Sequence, residues 1–204
     1  MKERPKDFNT EMVRAILDGR KTQYRRVIMT QPDFKIGDRL WVRETFAFEP
    51  YYGRFTIEEA VEAIRTANAG AYPKVFYMAD GDIPAWLRDA AKRNDWIVRK
   101  RPSGNMPRWA SRISLEITDV RVERLQDISA RDVEAEGIDV AGNLPLFPHA
   151  KDRDSLEKTA KFIAQFLYSQ YWDSINAKRG HSWESNPRVW VRTFKMVKPC
   201  TQTA

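Results

Sequence analysis

The chain has 204 residues, 42% of them hydrophobic and 31% charged, with a formal net charge of +7 and an isoelectric point near 9.5. That length supports one well-buried core, and no run approaches the roughly 18 apolar residues that span a bilayer. A single cysteine, Cys200, and two histidines, His149 and His181, exclude an intrachain disulfide and the usual Cys/His zinc sites. No apolar stretch follows Met1-Lys2-Glu3-Arg4-Pro5, so no secretory signal is expected and a cytoplasmic location is. The basic balance points to an acidic partner, such as nucleic acid or an anionic surface. No membrane association, metal or cofactor is expected. No Gly-rich fingerprint or Walker sequence supports a nucleotide-binding α/β fold.

Met12, Val13, Ile16 and Leu17 form one helical face, with Thr10 predicted as N-cap and Gly19 placed to end the helix. Arg20-Lys21-Thr22-Gln23-Tyr24-Arg25-Arg26 follows, four cations and an aromatic in seven residues, predicted to ride on a turn or short strand. Cations held on a folded segment suit a polyanion. Gln31-Pro32-Asp33 opens a turn, and Arg39–Phe46 reads as a strand with Leu40 and Val42 alternating against Trp41, Arg43 and Glu44. Ile57, Ala60, Val61 and Ile64 have helical spacing; Val75–Met78 is a short apolar strand; Pro84 opens a helix running to about Asn94.

The stretch from Trp96 to Arg112 is irregular and basic, with Arg99, Lys100, Arg101, Arg108 and Arg112 interleaved with Trp96 and Trp109. Cations for phosphates and aromatics for unstacked bases are how single-stranded nucleic acid is held. If those five cations each met one phosphate, the log–log salt slope would be about −3.5. The alternative is a solvated loop whose tryptophans tuck into the core. Ile113, Leu115 and Ile117 alternate as a half-buried strand, extended by Val120 and Val122. Ser129 and Asp132 make a capping box opening a short helix that Gly137 ends. Residues from Asp139 to Arg153 read as a loop. A helix from about Ser155 to Ile175 carries Phe162, Ile163, Phe166 and Leu167, and Arg188–Val197 closes as a strand with Val189, Val191 and Phe194 inward. Trp172 and Trp190 read as core or rim packing, His181 as structural, and Asp80-Gly81-Asp82 as a turn. The expected class is α+β in one domain, with a probable insertion around residues 50–101.

Gly19-Arg20-Lys21-Thr22, Arg25-Arg26 and Gly37-Asp38-Arg39-Leu40-Trp41-Val42-Arg43-Glu44 resemble the ASCH domain, a PUA-like family. Met106–Ile113, Val122–Ile128, Glu134–Ile138 and Asn186–Val191 extend the likeness over about residues 10–197, nearest to ASCH proteins encoded by phages and prophages. The resemblance implies a small PUA-like β-barrel with surrounding helices, and a cleft beside Lys21 that takes RNA, other single-stranded nucleic acid or a modified nucleoside. Arg20, Lys21, Arg25, Arg26, Arg43, Arg108, Trp109 and Arg112 are the candidate nucleic-acid contacts.

One ASCH branch removes an acyl group from N-acylated cytidine with a lysine, a threonine three residues later and a glutamate. Lys21 and Glu136 match two of these, and Tyr24 stands at the threonine position. The resemblance therefore also implies a hydrolase, an amidohydrolase or a ribonuclease, with Lys21, Tyr24 and Glu136 as catalytic candidates. In that role Lys21 acts as base if burial or neighbouring Arg20 and Arg25 lower its pKa, or as a charged stabiliser of an oxyanion. A phenol at position 24 suits proton donation or base stacking better than acyl transfer. Glu136 or Glu44 handles protons or pairs with Lys21 as an ordinary salt bridge. A third reading is a phage assembly or interaction protein. Oligomeric state is not legible.

Overall fold

The computed structural model describes residues 1–29, 34–48, 51–52, 57–67, 70, 72–94, 96–146 and 153–197. His149, Cys200, the turn at 31–33 and the side chains of Ile57, Ala60 and Trp96 lie outside the described residues. The first half carries β1 (Glu3–Asp7), α1 (Thr10–Leu17), β2 (Gln23–Val27), β3 (Arg39–Arg43), β4 (Phe46–Phe48), β5 (Tyr51–Tyr52) and α2 (Ile57–Ala67). There follow β6 (Val75–Tyr77), α3 (Ala85–Arg93), β7 (Trp96–Ile97), β8 (Ser114–Arg124), α4 (Ala130–Ala135), α5 (Arg153–Asn176) and β9 (Arg188–Val197).

The architecture is α+β, as expected. The barrel is not: five strands form one sheet in the order β1-β3-β8-β9-β2, and among the described residues it does not close. Closure requires the two edge strands to pair, and β1 and β2 each have one neighbour only. Two further pairs, β4 with β6 and β5 with β7, are antiparallel and separate from it. Among the described residues no helix is long and apolar enough to cross a membrane.

The chain divides into two compact units. The first comprises Met1–Glu3, Ala15–Arg39 and Leu115–Val197. Its core gathers Leu125, Ile128, Val133, Ile163, Tyr168 and Trp172 with the β9 valines 189 and 191. β2 pairs antiparallel with β9, Gln23 opposite Thr193 and Val27 opposite Val189. The helical face predicted for α5 is displaced. Ile163, Ala164, Tyr168 and Trp172 are buried, whereas Phe162 and Phe166 are 61% and 53% exposed. Two overlapping apolar stripes fit a 3.6-residue period here, and the one that continues through Tyr168 and Trp172 is the one that joins the core.

The second unit comprises Arg4–Arg14 and Leu40–Ser114 among the described residues. Phe46, Phe48, Met106 and Ala110 form one cluster in it, and Ala47, Met78, Ile83 and Leu87 another. The strand predicted over Arg39–Phe46 is broken between Arg43 and Phe46, because β3 belongs to the large sheet whereas β4 turns to pair with β6. At the start of α1 the cap is Asn9 rather than Thr10: the Asn9 Oδ1 accepts from the Met12 amide at 2.8 Å.

The capping box of α4 forms as its sequence predicts. Ser129 Oγ accepts from the Asp132 amide at 3.1 Å and donates to the Asp132 carboxylate at 2.8 Å. Six residues are too few for a helix to persist alone, so the cap and the packing of α4 on α5 hold it. Ser129→Ala should therefore cost about 1 kcal/mol, read as a lowered urea midpoint with unchanged slope.

Candidate functional site

The basic run Arg20–Arg26 is divided by the alternation of β2. Successive residues of a strand point to opposite faces, so Gln23 and Arg25 turn toward α4 and α5, and Tyr24 and Arg26 turn away. Lys21 lies just before β2, where the backbone is already fixed. Its amide donates to Ala15 O at 2.9 Å, the Thr22 amide donates to Ala135 O at 2.8 Å, and Lys21 forms an isolated bridge with Glu136. The chain leaves α4 through Gly137 with φ of 91°, where an added Cβ would sit 3.0 Å from Ala15 Cβ and 3.2 Å from Lys21 Cβ. Only glycine permits that close a passage.

Lys21 and Glu136, 115 positions apart, meet in the interior. The Lys21 ammonium, with a side chain 0% exposed, donates to both the carboxylate and the carbonyl oxygen of Glu136 at 2.8 Å. Arg25 donates to Glu136 Oε1 at 3.2 Å and to Glu123 at 3.1 Å, and lies 3.6 Å from Asp132. Tyr168 closes the cluster by donating to Glu136 Oε1 at 3.3 Å. Gln23 donates to Asp132 Oδ1 at 2.8 Å, and Arg121 ties Asp132 at 2.9 Å and also Glu123. Burial pushes the Tyr168 phenol well above its ordinary pKa, and the Glu136 charge adds to it, so this hydroxyl stays a donor.

Burial alone would raise the Asp132 carboxyl. Hydrogen bonds from Gln23 and Ser129 and the charges of Arg25 and Arg121 outweigh it and hold the group below the usual carboxylate range.

Tyr24 faces away from this cluster. It is buried, accepts from Arg192 Nη1 at 3.3 Å, and has its phenol raised by burial against the opposing pull of Arg192. Of the three catalytic candidates, the structure thus brings Lys21 and Glu136 into contact and gives Tyr24 a different polar partner.

A groove of about 520 Å³ opens beside the Lys21–Glu136 bridge, lined by residues that include Arg20, Thr22, Arg131, Glu134, Gly137 and Asp139. It lies within the size range of small-molecule sites. Arg20 donates to Gly137 O at 3.3 Å and to Asp18 at 3.0 Å, which holds its guanidinium against the rim. Arg131 and Glu134 are exposed, and their side chains make no hydrogen bond or ion pair among the described residues. The lining therefore offers cations, carboxylates and a Thr hydroxyl, a set suited to a ligand with both donors and acceptors. The side chains of Lys21 and Glu136 are buried rather than part of the lining.

The remaining nucleic-acid candidates belong to the second unit, where most are engaged. Arg112 grips Glu44 through two bonds of 2.9 and 3.1 Å, reaches Asp80 at 2.7 Å, and lies 4.0 Å from the Tyr77 ring centroid. Burial raises the Glu44 carboxyl despite the bonds from Arg112, and pushes the Tyr77 phenol up to about 12. Trp109 is stacked between Phe48 and Tyr72, at 5.3 and 4.5 Å between centroids. Arg43 pairs with Asp7 at 2.7 Å, and Arg43 and Arg108 both lie within 5.9 Å of the Trp41 ring. Lys100 pairs with Asp82 at 3.2 Å and Arg101 is buried. Of the five cations set against phosphates between Arg99 and Arg112, Lys100, Arg101 and Arg112 are thus paired or buried. His181 supplies a carbonyl to Trp172 Nε1 at 2.7 Å, and Asp82 accepts from the Ile83 amide. Among the described residues no group of three or more acidic, His or Cys side chains is disposed to hold a metal ion.

Sequence reasoning missed Arg25 as an interior residue, together with Glu123, Asp132 and Tyr168. The signal for Asp132 was present in its capping box. For Arg25 and Tyr168 none was available, because the carboxylates Arg25 meets are 98 or more positions away and Tyr168 reaches Glu136 from another element. Arg131, Glu134 and Arg192 were also missed.

No protein-family profile matches the chain, and no curated protein sequence does. Similar solved structures include an ASCH domain from Lactobacillus crispatus JV V101, with 10% identity and a TM-score of 0.43 over 97% of this chain and 80% of that one. Protein EF3133 from Enterococcus faecalis V583, described under the family label DUF984, has 9% identity and the same TM-score over 99% of this chain and 79% of its own. At that TM-score the likeness is too loose to define a function.

Lys21→Met should lower stability by about 3–5 kcal/mol, because it strands the Glu136 carboxylate with fewer donors; urea unfolding reads the loss directly. Acid should act through Asp132. Its depressed folded pKa makes a contribution that is full above the unfolded value of about 4 and is lost as pH falls through the folded value. The stability gap between wild type and Asp132→Asn should narrow below about pH 4, and a gap that stays constant there would refute this.

Proposed function

We propose that the chain is an ASCH-type, PUA-like module that binds RNA or a modified nucleoside in the groove beside the Lys21–Glu136 bridge. The observation that carries this reading is the groove's position. Both segments that converge on it, Arg20–Thr22 and Glu134–Gly137, belong to the motifs through which the sequence resembles the ASCH family. Its volume suits one nucleoside, and its mixed lining suits the donors and acceptors on a base edge. The net charge of +7 favours a polyanionic partner. The insertion over residues 50–101 would then fall wholly within the second unit.

In this reading Lys21, Arg25 and Glu136 are scaffold. Their charges neutralise one another in the interior and hold the two groove walls together, while Arg20 and Arg131 meet the ligand. A hydrolase in the same groove is the second reading, favoured by the 2.8 Å contact of Lys21 with Glu136. It requires the pair to open, since neither side chain reaches the lining. No observation on the described residues favours an assembly role.

Calorimetric titration with acetylcytidine, cytidine, single-stranded RNA and duplex DNA tests the proposal. Arg131→Ala should weaken binding about tenfold, the worth of one charge-assisted hydrogen bond, and leave folding intact. Binding to none of the four would remove the proposal. Release of acetate that Lys21→Met abolishes, with the variant still folded, would replace it with the hydrolase.

A further inference from the structure

The face of the β2–β9 pair that turns away from α4 and α5 carries a separate pattern. Directly opposed residues of an antiparallel pair share a face, which places Tyr24 with Arg192 and Arg26 with Trp190. Arg188 is two residues before Trp190 and so joins them. The opposite face holds Arg25 against Val191 and Val27 against Val189, the side committed to the core.

Along the outer face, exposure falls from one end to the other. Arg188 and Arg26 are exposed and Trp190 is half-buried, whereas Tyr24 and Arg192 are buried. Arg192 is 1% exposed, with its guanidinium 5.4 Å from the Tyr24 ring centroid and 5.2 Å from that of Phe34. Its Nε has no hydrogen-bond partner, and among the described residues no carboxylate pairs with Arg192 or Arg188. None of the five residues on this face is acidic. A cation held in the interior without a counter-charge projects its field outward, since little solvent intervenes to screen it. The exposed end of the face is thus an aromatic ring bracketed by two arginines and backed by a third positive charge.

We infer that this end of the β2–β9 face docks single-stranded RNA, with a base on Trp190 and phosphates on Arg26 and Arg188. The inference goes beyond the groove reading, because none of these residues lines the groove. The occupant follows from charge and shape. A flat ring accepts any base face, flanking guanidiniums match phosphates, and a row of five residues at the sheet's edge without an acidic one among them suits an extended strand.

The test is fluorescence anisotropy of the full chain with a short labelled oligouridylate across a salt series, with a short labelled glutamate peptide beside it. Replacing both Arg26 and Arg188 by Ala should weaken RNA binding at least tenfold and reduce the log–log salt slope by about 1.4, two phosphates' worth for a single strand. The double Lys variant should keep the slope. Trp190→Leu should weaken binding about tenfold at unchanged slope, since stacking carries no counterion release. Several results would overturn the proposal. The double Ala variant binds as wild type does, or only Arg131→Ala weakens the RNA, which leaves the groove alone responsible. Neither probe binds, or the glutamate peptide binds more tightly and is lost in the double variant, which makes the partner an acidic protein.

Discussion

A buried carboxylate organises the first unit. Glu136 receives hydrogen bonds from the ammonium of Lys21, the guanidinium of Arg25 and the phenol of Tyr168. Removing such charges from water costs several kcal/mol per ion, and only close geometry with further hydrogen bonds recovers it. The chain meets that demand by balance. Lys21, Arg25 and Arg121 stand against Glu123, Asp132 and Glu136, each cation within 3.6 Å of at least one of these carboxylates. The cluster joins the approach to β2, the end of β8, the end of α4 and the middle of α5. The groove walls are the outer surface of the same joint, so its shape depends on the pairing beneath it.

This changes what a run of basic residues means. Arg20–Arg26 has the look of a polyanion-binding strip, yet strand alternation sends Arg25 inward, the tight turn before β2 buries Lys21, and Arg20 and Arg26 stay outside. The same sorting occurs in the second unit, where Arg112 is consumed by Glu44 and Asp80 while Arg43 and Arg108 gather on Trp41. Counting cations in sequence therefore overstates the charge offered to a ligand.

Much of the fold was legible where the pattern is local. The alternation of Leu40 with Val42 and of Leu115 with Ile117, the capping box at Ser129 and the closing strand at Arg188–Val197 all depend on neighbouring residues, and the structure has them. The sheet's failure to close was not legible, since closure is a relation between β1 and β2 as edges. Phe162 and Phe166 illustrate a second limit: helical spacing names a stripe but cannot say which of two adjacent stripes meets the core. At the site, the meeting of Lys21 with Glu136 followed the motif resemblance, not any rule of spacing. The interior role of Arg25 and the aromatic enclosure of Arg192 needed the register of β2 against β9, which no local pattern carries.

That register also bears on how the protein is made. Gln23 pairs with Thr193 and Val27 with Val189, so β2 emerges long before the strand it must join. At translation speeds of about 5–20 residues per second, the early strand waits roughly ten to thirty seconds for its mate. Until Glu123, Asp132 and Glu136 follow in the chain, Lys21 and Arg25 lack the carboxylates they finish against, and their hydrated charges discourage a nascent edge from pairing with other chains. The residues that finish as an interior ionic lattice thus begin as a guard on an unfinished sheet, and the arrival of the β8–α4 carboxylates converts one role into the other.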